Sequence, residues 1–420
     1  MRSAIILAGM VLCALLLTAP VLADNYAITG GTAYTHGGRG KVERATVLIS
    51  DGKIVSVIPD GKVPDGYERI DARGKWITVG FMVSATSLGL GEIGISADIN
   101  DARSEKAKHT LGLDPADGYN PDSTLIPVTR IEGVTRASVN LTGGKDMWLG
   151  QGMVVNLGRG TDTIDRHRAY IGLDISEHGA RTGGGSRPAM WDAIRAKFDA
   201  ADPRTGRSQR KKGAEPDADV EALRGLFTHK AFLLVVANRT SDIRKVMALK
   251  QRYGFDVIVA GGAEAWRVAD DLARARIPVV LNPLQNLPRS FDELGATGAN
   301  AARLARAGVK VAFLAPDTHN ARLLPQSAGN AVAMGMRWTD AVDAISVNPA
   351  EIFGIADHYG TLEKGMDADV VIWNGDPLEV MTSPDAVFVK GQAIPMRSRQ
   401  TALRDRYETL TRSPQYRRLQ

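Results

Sequence analysis

Through the middle of the chain, short and uniformly apolar runs alternate with stretches of helical periodicity. The runs cover residues 137–141, 153–157, 231–237, 256–260, 277–282 and 309–314, and helical spacing fills intervals such as 241–253 and 263–275. Strands without polar alternates suit a sheet covered on both faces, as parallel sheets are. Repeated strand–helix units in a chain of 420 residues predict a closed (β/α)8 barrel. In that architecture, chemistry belongs at the carboxyl ends of the strands.

The two ends of the chain have a different texture. Ala45-Thr46-Val47-Leu48-Ile49-Ser50, the turn Asp51-Gly52 and Lys53-Ile54-Val55-Ser56-Val57-Ile58 read as a β-hairpin. The C-terminal region repeats the pattern in residues 368–373 and 386–392, separated by Asn374-Gly375-Asp376-Pro377. One small β-sandwich built from both termini is expected, its parts at residues 24–78 and 356–400. The barrel then spans 79–355, and 401–420 form a tail. Residues 176–219, with Gly183-Gly184-Gly185 and mixed charges, break the strand–helix rhythm. They read as an insertion into the barrel, helical around residues 190–200, with a lid as one role.

Residues 1–23 have the form of an export signal. Arg2 precedes an apolar run at residues 4–17, and Val21-Leu22-Ala23 offers a small-residue cleavage site. The run is shorter than the roughly 18–20 apolar residues that cross a bilayer. The one cysteine, Cys13, lies inside it, so cleavage leaves no thiol for a disulfide or a metal. A periplasmic or secreted protein is expected, without a membrane role after cleavage. The formal charge of +5 is small for this length. Basic residues gather only in Arg207-Ser208-Gln209-Arg210-Lys211-Lys212 and at Arg417-Arg418, which read as solvated segments rather than a nucleic-acid surface.

Two motifs carry a family resemblance. The stretch Gly80-Phe81-Met82-Val83-Ser84-Ala85-Thr86-Ser87 resembles the first barrel strand of the amidohydrolase superfamily, which runs into His-x-His. The C-terminal segment Asn348-Pro349-Ala350-Glu351-Ile352-Phe353-Gly354, followed by residues 360–371, is similar to the family's return from the last barrel helix to the β-sandwich. It is also similar to the imidazolonepropionase-like branch, many of whose members carry export signals. The resemblance implies one or two divalent metals, such as zinc, at the barrel mouth. Histidines from strands one, five and six would hold the metal, which lowers the pKa of its water to around 7. An aspartate after strand eight would move the proton.

The residues at those positions differ. Strand one offers Ala85 and Ser87, strand five Asn238 within Val236-Ala237-Asn238-Arg239, and strand six Gly261. Alanine and glycine cannot ligate, and a neutral serine hydroxyl is a poor zinc ligand. Asp317 stands in the strand-eight position, with His319 two residues on. These two are the candidate catalytic pair, with a buried loop carboxylate and a rim histidine as the plainer alternatives. Arg239, Glu264 and Asn238 are candidate substrate contacts, with an Arg239–Glu264 pair either orienting substrate or bracing two loops. Glu92 and Asp98 could offer oxygens to a hard cation or form a solvated loop. The other six histidines are dispersed. Two functions follow from the resemblance. One is an exported hydrolase of non-peptide or cyclic-amide C–N bonds with a degenerate metal site. The other is a catalytically silent homologue that binds a small molecule, or forms a homo- or hetero-oligomer with an active paralogue.

Overall fold

The computed structural model describes residues 25–36, 40–92, 100–107, 109–205, 218–315 and 317–408. Residues 1–23, read as an export signal, Asp98 and the 207–212 basic run lie outside them. Sixteen strands form two eight-stranded sheets. The first sheet takes β1 (Tyr26–Tyr34), β2 (Lys41–Ser50), β3 (Lys53–Pro59), β4 (Glu68–Asp71) and β5 (Trp76–Val79) from the N-terminal part. The barrel follows with β6 (Phe81–Thr86), β7 (Val134–Asn140), β8 (Trp148–Asn156), β9 (Ile164–Asp174), β10 (Phe232–Ala237), β11 (Val257–Gly261), β12 (Val279–Leu281) and β13 (Val311–Phe313). Strands β14 (Val370–Trp373), β15 (Pro384–Val389) and β16 (Gln392–Ala393) return to the first sheet, where β14 pairs with β5.

In the terminal sheet, Asp51 and Gly52 both take positive φ (50° and 75°), the geometry a two-residue hairpin between β2 and β3 requires. Strand β1 changes partner along its length. Tyr26–Thr29 pair in parallel with β4, and Thr32–Ala33 with β5. The switch falls at Gly30-Gly31, where the ladder to β2 also slips. A Cβ on Gly31 would stand 2.9 Å from the Ala72 carbonyl oxygen, so only glycine admits that approach.

The second sheet runs β6 to β13 in chain order and closes through a parallel bridge between Ser84 and Leu314. Lower down, the Ala344–Ile345 backbone sits between the two edges, accepting from Phe313 N–H and Met82 N–H. Strand β8 departs from the all-parallel expectation, pairing antiparallel with both β7 and β9. The links at 141–147 and 157–163 are hairpin-sized, shorter than the dozen or more residues a parallel crossover needs.

Alternation along the strands sorts the barrel side chains into two layers. Val83, Ala137, Val155, Val235 and Val259 face the helices. Met82, Val154, Tyr170, Leu234, Ile258 and Val280 fill the lumen and join the core of the terminal sheet through Phe353 and Tyr359. The described part of 176–219, read as an insertion with a lid as one role, belongs to the outer layer. Helix Arg187–Ala201 buries Met190, Trp191, Ile194 and Phe198, and Phe198 packs against Trp148, Tyr253 and Phe255. It is one of the barrel's own helices, between the fourth and fifth strands.

Barrel and sheet are joined by a buried ion cluster. Arg136, inward-facing on β7 and wholly buried, reaches Asp369 (2.8 Å), Asp367 (2.8 Å) and Asp165. Lys53 adds a bond to Asp367 (2.6 Å) and Lys390 one to Asp165 (2.8 Å). Burial pushes the Asp367 carboxyl up, but hydrogen bonds from Lys53 and Arg136 hold it below its usual range. A lowered carboxylate pKa stabilises the fold above the unfolded value, and that contribution is lost as pH falls through the folded value. Replacing Arg136 with methionine leaves buried Asp369 without a cation and Asp367 and Asp165 with one lysine each, so Arg136→Met should cost about 3–5 kcal/mol at pH 7. Urea unfolding of both proteins should show the difference narrowing as the pH drops below about 4.

Candidate active site at the barrel mouth

The carboxyl ends of the strands bring the sequence-marked positions to one rim, but not into one constellation. At the first strand, Ala85 has φ +48°, unusual for alanine, and its N–H donates to Ser138 Oγ at 2.7 Å. The ladder shows why. Val83 pairs with Ala137 and Thr86 with Val139, so one extra residue is absorbed opposite Ser138. This bulge turns both Ala85 and Ser87 toward the mouth. Ser87 Oγ lies 2.7 Å from Thr318 Oγ1, linking the first strand to the loop after the eighth.

Asp317 and His319 sit beyond the end of β13, and both are exposed. Asp317 precedes the 3₁₀ turn Thr318–Leu323 but makes no capping hydrogen bond. Neither side chain has a hydrogen-bond partner among the described residues, so both are open to solvent and to a ligand.

Asn238 and Gly261 interlock. Asn238 Nδ2 donates to Glu293 Oε1 (3.2 Å), and its Oδ1 accepts from Ala263 N–H (3.3 Å). A Cβ on Gly261 would come within 2.5 Å of that same Oδ1, and Gly261 has φ +83°. The carboxamide therefore occupies the space of a side chain at 261. Gly261→Ala should destabilise the protein by about 1–3 kcal/mol through clash and backbone strain. Thermal unfolding beside a solvent-facing control such as Gly74→Ala, where a Cβ meets nothing within 4 Å but φ is also positive, separates the clash from the strain.

The anticipated Arg239–Glu264 pair does not form. Arg239 turns to Asp242 (3.2 Å) and Asp292 (3.8 Å), which also bind Arg187. Glu264 accepts from Thr240 N–H and Oγ1 and from Gly295 N–H, each at 3.0 Å. Burial raises its carboxyl, and those bonds with Arg267 outweigh it, leaving the pKa lowered. Both residues brace the loops after β10, β11 and β12. Glu92, offered for a hard cation, accepts from Thr124 N–H and hydroxyl at the start of helix Leu125–Arg130.

Sequence reasoning missed the polar groups inside the lumen. Tyr170, wholly buried, donates to Asn140 Oδ1 at 3.2 Å, and burial raises its pKa, so it stays neutral. Ser84 is fully buried and its hydroxyl has no partner among the described residues. Ser84, Ser138 and Asn140 fall on inward positions between outward-facing apolar residues such as Val83, Ala137 and Val139, a signal available from alternation alone. A metal does not fit this set. Among the described residues, no three His, Cys, Asp or Glu side chains gather closely enough to hold one. A cleft of about 330 Å³ lies instead at the barrel foot, lined by Lys250, Asp256, Lys310 and Glu351. Its charges pair with one another, and that end of such a barrel serves stability rather than chemistry.

The fold is an eight-stranded barrel with a sheet drawn from both termini. Comparisons with known proteins agree. The model of the family described as "Amidohydrolase family" matches residues 215–394. The amidohydrolase from Thermotoga maritima MSB8 superposes with a TM-score of 0.80 at 24% identity, over 89% of this chain and 100% of that one. An adenosine deaminase from Xanthomonas campestris with bound zinc gives 0.52 at 14% identity, over 88% of this chain and 92% of that one. Amidohydrolase tasK of Hapsidospora irregularis is 34% identical over 118 residues, 26% of this chain and 12% of that protein. The structural likenesses show the fold, and the family match covers the C-terminal part of the barrel and the strands that return to the terminal sheet.

Proposed function

We propose that the protein is an exported amidohydrolase-superfamily hydrolase that cleaves non-peptide or cyclic-amide C–N bonds at a degenerate metal site. The observation that carries this is Asp317. It stands after the eighth strand, exposed and unpaired, beside the Ser87–Thr318 contact that ties the first strand to the same loop. In this role Asp317 takes a proton from the attacking water as its oxygen bonds to the amide carbon. His319 returns a proton to the nitrogen as the C–N bond breaks. The leader at residues 1–23 and the family match over 215–394 support export and reaction class respectively.

A second function is favoured by one specific observation. Asn238, Arg239 and Glu264 are engaged in loop bracing, which leaves the rim with few free groups for chemistry. That suits a silent homologue that binds a small molecule or pairs with an active paralogue. The two are separated by assaying mature protein, purified without chelator, on a panel of N-acyl amides and lactams, with and without added zinc or manganese. Turnover that falls at least about a hundredfold in Asp317→Asn is expected for a general base. No turnover across the panel under any metal condition rejects the hydrolase and leaves the silent function standing.

A further inference from the structure

The loop between β12 and the helix Asn300–Arg306 is turned inside out. Its only acids, Asp292 and Glu293, are buried, whereas Leu284, Leu287, Phe291 and Leu294 are exposed, Phe291 by 82%. Hydrogen bonds hold it in that state. Asn286 Oδ1 accepts Gly298 N–H (2.8 Å), Glu293 Oε2 accepts Arg289 N–H (3.0 Å), and the Gly295 carbonyl accepts Trp266 Nε1–H (2.9 Å). Met334, also exposed, joins the same surface: its Sδ would stand 3.1 Å from a Cβ on Gly298, the residue that Asn286 binds. Large apolar side chains thus form one crest at the mouth end of the barrel. Contiguous exposed apolar surface of this kind marks a contact with something outside the chain.

A basic groove adjoins the crest. It has a volume of about 580 Å³, and Arg267, Arg274, Arg303 and Arg306 line it against Asp270 and Asp271. The junction is direct. Trp266, in the groove wall, bonds to Gly295, and the Arg267 guanidinium lies 2.8 Å from where a Cβ on Gly295 would be, one residue past Leu294. Arg274 pairs with Asp271. Arg303 stacks over the Trp266 ring at 4.4 Å, and Arg306 donates to the Ala302 carbonyl. Neither of these two meets a carboxylate among the described residues. Both are exposed, as is Arg289 on the crest itself, so the outward charge of the surface is positive.

We propose that this surface docks the protein on an anionic phospholipid membrane, the crest entering the headgroup layer while Arg303 and Arg306 meet lipid phosphates. Apolar side chains flanked by cations are what an interfacial contact requires. The crest side chains project rather than line a hollow, and they are few against the roughly 20–30 residues that a stable protein interface takes from each side. A second copy is disfavoured by charge. A twofold contact sets the same patch against itself, so arginine would face arginine. The contact needs no spanning helix, and none among the described residues is long and apolar enough to be one. Docking by these loops turns the barrel mouth toward the bilayer. The proposal departs from the expectation of no membrane role, because neither the length of an apolar run nor net charge registers a patch assembled by folding.

The test is co-sedimentation of residues 24–420 with vesicles, the leader being left off because its apolar run would bind lipid by itself. One set of vesicles is phosphatidylcholine alone, and the other is phosphatidylcholine with an equal part of phosphatidylglycerol. The expected result is binding to the anionic vesicles that is at least about tenfold stronger than to the neutral ones and weakens as salt rises. Leu287→Ser combined with Phe291→Ser should lower that binding at least about tenfold. Arg303→Gln combined with Arg306→Gln should remove most of the preference for phosphatidylglycerol. Inorganic phosphate at constant ionic strength should leave binding in place, since the crest needs a bilayer. Circular dichroism melts report whether each variant is folded. No sedimentation with either vesicle, equal binding to both, or unchanged binding in the folded crest variant overturns the proposal. Displacement by phosphate reduces the site to an anion groove and overturns it too. Light scattering without lipid covers the remaining occupant: a dimer that the crest substitutions dissociate assigns the crest to a second copy instead.

Discussion

Arg136 is the constraint on which the two halves of the molecule depend. Its guanidinium lies inside the barrel with no exposure, so it is tolerable only where three carboxylates meet it. Those carboxylates come from the start of β9 and from the segment leading into β14. The barrel foot, the last connection and the terminal sheet must therefore arrive together. Tyr359 adds to this, its ring 4.7 Å from the guanidinium and its hydroxyl bonded to the Gly80 carbonyl. A continuous apolar core surrounds the cluster and keeps the pairing free of competing water.

With the foot fixed in this way, the mouth can vary. The loops after β10, β11 and β12 are held by polar bonds among themselves, through Asn238, Glu264, Asp292 and Glu293. One effect is an inverted loop. Asp292 and Glu293 are nearly fully buried, while Leu287, Phe291 and Leu294 stand 75%, 82% and 64% exposed. Groups that would ordinarily face solvent serve as anchors, and the rim gains rigidity from them.

Much of the architecture was legible in the sequence because burial on both faces leaves a plain apolar signature. The strands at 231–237, 256–260 and 309–314 overlap β10, β11 and β13. The strand at 153–157 overlaps β8, but its reversed direction was not read, although Gly143-Gly144 and Gly158-Arg159-Gly160 mark short turns on both sides. Its first half, Trp148-Leu149-Gly150-Gln151-Gly152, lacks the apolar run that betrayed the others. The rim was legible by position and illegible by contact. Alternation could assign Asn238 and Glu264 to strand ends, but whether such groups face a ligand or a neighbouring loop depends on partners distant in sequence. Glu293 is 55 positions from Asn238, and no local pattern announces that meeting. Ser84 and Ser138 were passed over because serine within an apolar strand attracts little notice beside missing histidines.

The fit of Asn238 against Gly261 bears on the routes open to this sequence. Installing histidine at 261 alone would drive an imidazole into the carboxamide and impose a positive φ on a bulky residue. Installing it at 238 alone would abandon the bonds to Glu293 and Ala263. Neither step offers a metal anything, since Ala85 and Ser87 would still be silent. Each single change lowers stability without restoring a centre, and only several made at once could do so. The rim thus behaves as a ratchet: a sequence carrying these residues meets a barrier on any stepwise path to metal chemistry.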